Sequence, residues 1–180
     1  IITDTSMTDW FKRSISLGMH AAQIIPTNQI VVADWVPLKC QFGCGGYDER
    51  LTCPPYSPPP EITRRMLRDY KQALLLRVDG QGGEDQEEQL RLKLHETVTT
   101  LERELFLAGY HRAWGMAAGP CPLCETCDVT APCKYPEKAR PAMEACGIDV
   151  YGTVRKAGWE ISVVPTLDSP FSLFGLVLME

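Results

Sequence analysis

Residues 73–109 read ALLLRVDGQGGEDQEEQLRLKLHETVTTLERELFLAG. Ala73 to Val78 has the short apolar run of a buried strand. Gly80 to Glu88 is a turn and a charge run. It lacks the strand–glycine–lysine order of a phosphate-binding loop and reads as a solvated connection. An apolar residue then recurs at Leu90, Leu94, Val98, Leu101, Leu105 and Leu107, which predicts a helix over about 85–108. Glu102, Arg103 and Glu104 fall on its wet side, and Gly109 stops it.

Working outward, Thr8 caps a first helix whose apolar face carries Trp10, Phe11, Ile15 and Met19. Ile30 to Leu38 reads as a strand that leads into a cysteine-rich stretch. Pro54, Pro55, Pro58, Pro59 and Pro60 then stiffen the chain and remove backbone donors. A short helix runs from about Glu61 to Tyr70. Beyond the long helix, Ala113 to Ala118 is a strand that delivers the chain to Gly119 and Pro120. Pro141 starts a further helical stretch. Ile161–Val164 and Leu173–Leu178 close the chain as strands. Strands alternating with helices predict an α/β or α+β fold, with a mixed sheet flanked by helices. Residues 1–180 form one domain, with cysteine loops at about 40–53 and 119–146.

The chain has 180 residues, 44% of them hydrophobic, enough for a sizeable core. The net charge of −5 argues against nucleic acid or an anionic membrane as partner. No apolar run approaches the ~20 residues of a spanning helix, so membrane insertion is not expected. No export signal opens the sequence, and reduced thiols suggest a cytoplasmic setting.

Seven of the eight cysteines fall in two groups. Cys121, Cys124, Cys127 and Cys133 follow the pattern C-x2-C-x2-C-x5-C in GPCPLCETCDVTAPC. Cys40, Cys44 and Cys53 lie in CQFGCGGYDERLTCPP, and Cys146 stands apart. Disulfides suit a small secreted framework, which this chain does not resemble. Structural zinc favours two separated C-x2-C knuckles around one ion. Three thiols at x2-x2 spacing instead match the loop that supplies three corners of a [4Fe–4S] cluster, with a more distant cysteine as the fourth. Spacing does not choose between Cys133 and Cys146 for that corner. If Cys146 joins the earlier group, two clusters are fully ligated. If it does not, one iron is left open.

Tyr47, Asp48 and Glu49 lie between Cys44 and Cys53 and are candidates to line an open site, though a surface turn is the plainer reading of them. Trp35 and Tyr56 are candidates to shield a cluster, or ordinary core. His20, His95 and His111 are scattered and read as structural, with His111 nearest the later loop. Lys134, Lys138 and Arg140 either balance cluster charge or form a solvated turn. No Ser–His–Asp order, nucleotide fingerprint or H-E-x-x-H motif is present.

The stretches VPLKCQFGCGGYDERLTCPPYSPPPE (36–61) and GPCPLCETCDVTAPCKYPEKARPAMEACGIDVYGTVRKAGW (119–159) resemble the predicted metal-binding proteins of domain of unknown function 2284. The resemblance spans nearly the whole chain. It implies metal binding by the cysteines as iron–sulfur clusters and supplies no reaction. Three functions are expected to compete. One is electron transfer by one or two [4Fe–4S] clusters to a redox partner protein. A second is an enzyme in which a three-cysteine cluster with an open iron acts on a small-molecule substrate, by desulfuration, dehydration or reductive cleavage. The third is a zinc-stabilised interaction module.

Overall fold

The apolar run at 73–78 becomes the centre of the sheet. In the computed structural model, which describes residues 4–180 and side chains from Asp9 onward, strand β2 (Gln72–Gly80) lies between β1 (Ala21–Pro26) and β4 (Phe171–Leu178). Strand β3 (Trp114–Met116) pairs with the far side of β4, giving the order β1-β2-β4-β3. The strand pairings are antiparallel, and an isolated parallel bridge joins Ala117 to Ala142. The fold is α+β, with five α-helices around a four-stranded sheet among the described residues.

A strand covered on both faces needs no polar alternation, which is why β2 is continuously apolar from Ala73 to Leu76. Leu74, Leu76 and Val78 join one core with Leu94, Val98, Leu101 and Leu105 of helix α4 (Glu84–Leu107). Ala73 and Leu75 join a second core on the opposite face, with Met143, Cys146, Ile148, Val154 and Leu176. Alternate strand residues thus feed two cores. Helix α5 (Val150–Lys156) covers part of the second face, and Asp149 caps it by accepting the Gly152 N–H at 3.0 Å.

Several local expectations are revised. Thr8 falls inside helix α1 (Asp4–Ser16) rather than at its cap, and its side chain lies outside the described residues. Phe11 and Ile15 are exposed, whereas Trp10 and Leu17 pack on the core and Ser14 is buried. The buried stripe therefore runs 10-14-17, one step round from the expected face. The strand at 30–38 is absent, and Val32 makes one bridge to Ile148. Pro37 instead opens helix α2 (Val36–Gly43), since proline fits a first helical turn. Residues 161–164 run as an irregular segment. Strand β1 had no expectation. In the long helix, Leu107 is exposed.

Glu102 is not on a wet face. Its carboxylate takes the Gly115 N–H at 2.6 Å and the Arg140 Nε–H at 2.6 Å, and Arg140 Nη2 completes a two-point ion pair. The Arg140 guanidinium stacks 4.8 Å from the centre of the Trp114 ring. Both charged side chains are nearly buried, so the basic turn expected at Arg140 is a structural tie. It fastens the end of the later cysteine loop to α4 and β3. Among the described residues, no helix is long and apolar enough to cross a membrane.

Candidate metal centre

Residues 119–139 form no helix or strand. Pro120, Pro122 and Pro132 withhold three N–H donors there, and the chain curls on itself. Cys121, Cys124, Cys127 and Cys133 consequently line one cavity of about 20 Å³. Between Cys127 and Cys133, the Asp128 carboxylate accepts the Thr130 N–H at 2.9 Å and its hydroxyl at 2.6 Å.

Arg50, from the earlier cysteine loop, reaches into the later one. Its Nη1 donates to the carbonyls of Cys121 at 3.0 Å and Cys124 at 2.9 Å, and its Nη2 to Glu125 O at 3.3 Å. Burial raises the pKa of both Cys53 and Cys121, and the Arg50 cation opposes that rise only in small part. The two loops meet closely at Gly46, where an added Cβ would lie 3.0 Å from Pro120 Cγ and 3.2 Å from Cys53 Sγ.

The earlier group is built differently. Cys40 sits on α2 and Cys44 directly follows it. Cys53 comes from beyond the turn at 46–49. The three line a second cavity of about 310 Å³, together with Trp35, Tyr47 and Glu144. The Gly46 N–H points at Cys44 Sγ, 3.4 Å away. Asp48 is a turn residue, with φ of 59° and its carboxylate accepting the Tyr56 hydroxyl at 2.8 Å. Glu49 and Tyr56 are exposed.

Burial, then the neighbouring Cys44 sulfur, pushes the Cys53 thiol up to about 11. Cys40 is raised by burial, then by Cys44 and Glu144. Cys121 is raised by burial, opposed by the Leu123 N–H, and raised further by Cys133 and Cys124. Crowded, half-dry thiols resist becoming anions alone. A bound metal replaces the protons and relieves the repulsion. Among the described residues, no three His, Cys, Asp or Glu side chains converge tightly enough for a single ion. The thiols ring cavities instead. The Thr52 hydroxyl borders the four-cysteine cavity, buried and without a hydrogen-bond partner. It lies near enough to Cys53 to favour the thiolate without reaching hydrogen-bond geometry. A donor left over beside thiols suits a sulfur-rich cofactor, whose sulfur atoms accept hydrogen bonds.

Cys146 borders neither cavity. It ends the 3-10 turn Glu144–Cys146, is 1% exposed, and packs in the second core. Burial, then Glu144, pushes its thiol up to about 12. The turn is fixed from the stretch that follows the earlier loop: the Ser57 hydroxyl donates to Ala145 O at 2.6 Å, and the Thr63 hydroxyl, from the helix Pro60–Leu67, to Cys146 O at 2.7 Å. Gly147 follows at φ 78°, against Pro60.

Glu144, which sequence reasoning missed, stands on the wall between the three-cysteine cavity and a third cavity of about 930 Å³. Its side chain keeps contact with solvent while protein surrounds it on several sides. The enclosing protein pushes its pKa up. A lone carboxylate in the otherwise apolar run AMEACGI was the available signal.

The histidines stay structural. His95 is buried and its Nε2 meets Lys138 O at 2.8 Å; His20 Nδ1 accepts the Asp79 N–H; His111 is exposed. Lys134 and Lys138 are exposed.

Seven thiols ringed around two cavities suit a metal-binding class of protein. The family described as "Predicted metal-binding protein (DUF2284)" matches residues 23–179, and the chain belongs to it. A search of the curated proteins and a search of the solved structures each found no match.

Proposed function

We propose that this protein is an iron–sulfur enzyme with two unlike centres. Cys121, Cys124, Cys127 and Cys133 would hold a fully ligated [4Fe–4S] cluster. Cys40, Cys44 and Cys53 would hold a second, with one corner left for an outside ligand. The observation that carries this reading is the position of Cys146. It packs in the core and borders neither cysteine cavity, while the three-cysteine cavity and a larger one share Glu144. When bound, such centres supply electron transfer and, at an open iron, a Lewis-acid position. The chain's own residues do the rest. Arg50 holds the two loops together, Trp35 and Tyr47 border the three-cysteine cavity, and Glu144 offers a carboxyl beside it.

Metal content per chain, measured on protein purified without oxygen, tests the reading. About eight iron and eight acid-labile sulfide are expected. Cys146→Ala should keep all of it, and Cys133→Ala should lose about half. Iron lost from Cys146→Ala would favour a closed two-cluster relay serving a redox partner protein. Zinc without iron would leave a structural metal module.

A further inference from the structure

Helix α5 is seven residues long and covers only part of the second sheet face. Past its end, Arg77 and Asp79 of β2 and their register partners Phe174 and Ser172 of β4 face the third cavity. Asp79 is already engaged: it accepts Arg77 Nη2 at 3.0 Å and the Ser172 hydroxyl at 2.7 Å. Arg77 is not fully engaged. Its guanidinium stacks 5.8 Å from the Trp159 ring centre, and its Nε–H is buried without an acceptor. Such an orphaned charged donor on a cavity wall lacks the acceptor that buried polar groups normally find. Across the cavity, Arg155 stacks 5.6 Å from the Tyr151 ring centre. Its guanidinium makes no hydrogen bond or ion pair among the described residues. Ile161, Val164 and Phe171 supply apolar wall.

We infer that this cavity binds an organic acid, a carboxylate on an apolar body. The carboxylate lies against the part-exposed Arg77 guanidinium, with Arg155 adding charge, and the apolar body lies against Phe171 and its neighbours. A volume of about 930 Å³ suits a small-molecule ligand with few convergent polar groups. Glu144 borders both this space and the three-cysteine cavity, so a bound acid would lie next to the proposed open centre. That link to chemistry rests on the function proposed above; the binding itself does not.

Calorimetric titration of the metal-loaded protein with 3-phenylpropionate, its uncharged amide and inorganic phosphate tests the inference. The carboxylate should bind at least about tenfold more tightly than the amide, the worth of one charge-assisted hydrogen bond. It should also outbind phosphate, which has no apolar body. Arg77→Gln should remove that preference. Arg155→Gln, at an exposed side chain, should weaken carboxylate binding about threefold. Equal binding of acid and amide, equal binding of phosphate, or no carboxylate binding overturns the inference. Iron counted on the same sample separates the two readings. Carboxylate binding without iron sinks the proposed enzyme and leaves this site standing; full iron without binding does the reverse.

Discussion

Cys121, Cys124, Cys127 and Cys133 surround about 20 Å³ in a loop free of helix and strand, whereas Cys40, Cys44 and Cys53 border about 310 Å³ at the end of a helix. The difference follows from backbone. An irregular, proline-punctuated loop can turn thiol after thiol toward one point. A helix projects residues i and i+4 along one face, which delivers Cys40 and Cys44 side by side. A third thiol must then come from elsewhere in the chain, and one flank stays open. Thiol number and access are thus set by local chain geometry before any metal arrives.

The harshest way to break the comparison is to remove a thiol from the closed loop. Cys124→Ala should cut iron from about eight to about four per chain, leaving the earlier group loaded. Full iron in that variant would defeat the four-cysteine assignment. Next comes the tie that ends the closed loop. Glu102→Ala leaves Arg140 nearly buried and unpaired, and should lower unfolding free energy by about 3–5 kcal/mol in a urea melt. Arg50→Ala removes three donor contacts between the loops and should cost about 1.5–3 kcal/mol. The test of its special place is iron release to a chelator, which should speed up at both centres rather than one.

Acid should act through His95. Burial lowers its pKa, so on acidification the unfolded chain takes up this proton first. Its contribution is complete above about pH 6.5 and is lost below that at up to ~1.4 kcal/mol per pH unit. Melts at stepped pH should show a shallower acid slope in His95→Gln than in the parent. Last and smallest, Cys146→Ala should lower stability by about 1 kcal/mol, as one buried core substitution does.

The layers were legible where pattern and burial agree. The run at 73–78 and the stripe Leu94–Leu105 describe a doubly covered strand and the helix on it, and both formed. The run at 30–38 was misread because Ile30, Val31 and Val32 are strand-like in composition, while Pro37 and a single bridge decide otherwise. In the run 161–164, Ile161 and Val164 border the third cavity while Val163 is exposed, and no sheet forms. The thiol grouping of the later loop was readable from spacing, but the choice between Cys133 and Cys146 was not. Cys133 borders the cavity that the other three line, and Cys146 packs in the second core. Arg50 left no signal, since its acceptors are backbone carbonyls more than seventy positions away.

Those contacts bear on how the molecule is assembled. A side chain rooted in one cysteine loop gathers three carbonyls of the other, and Gly46 lets the two surfaces touch. Order in either loop therefore lowers the entropic cost of ordering its neighbour. If both loops hold the proposed centres, loading one should raise the affinity of the second, and by linkage the reverse should hold equally. Partly filled chains should then be scarce at equilibrium, and a limiting supply of iron should divide the population into full and empty molecules.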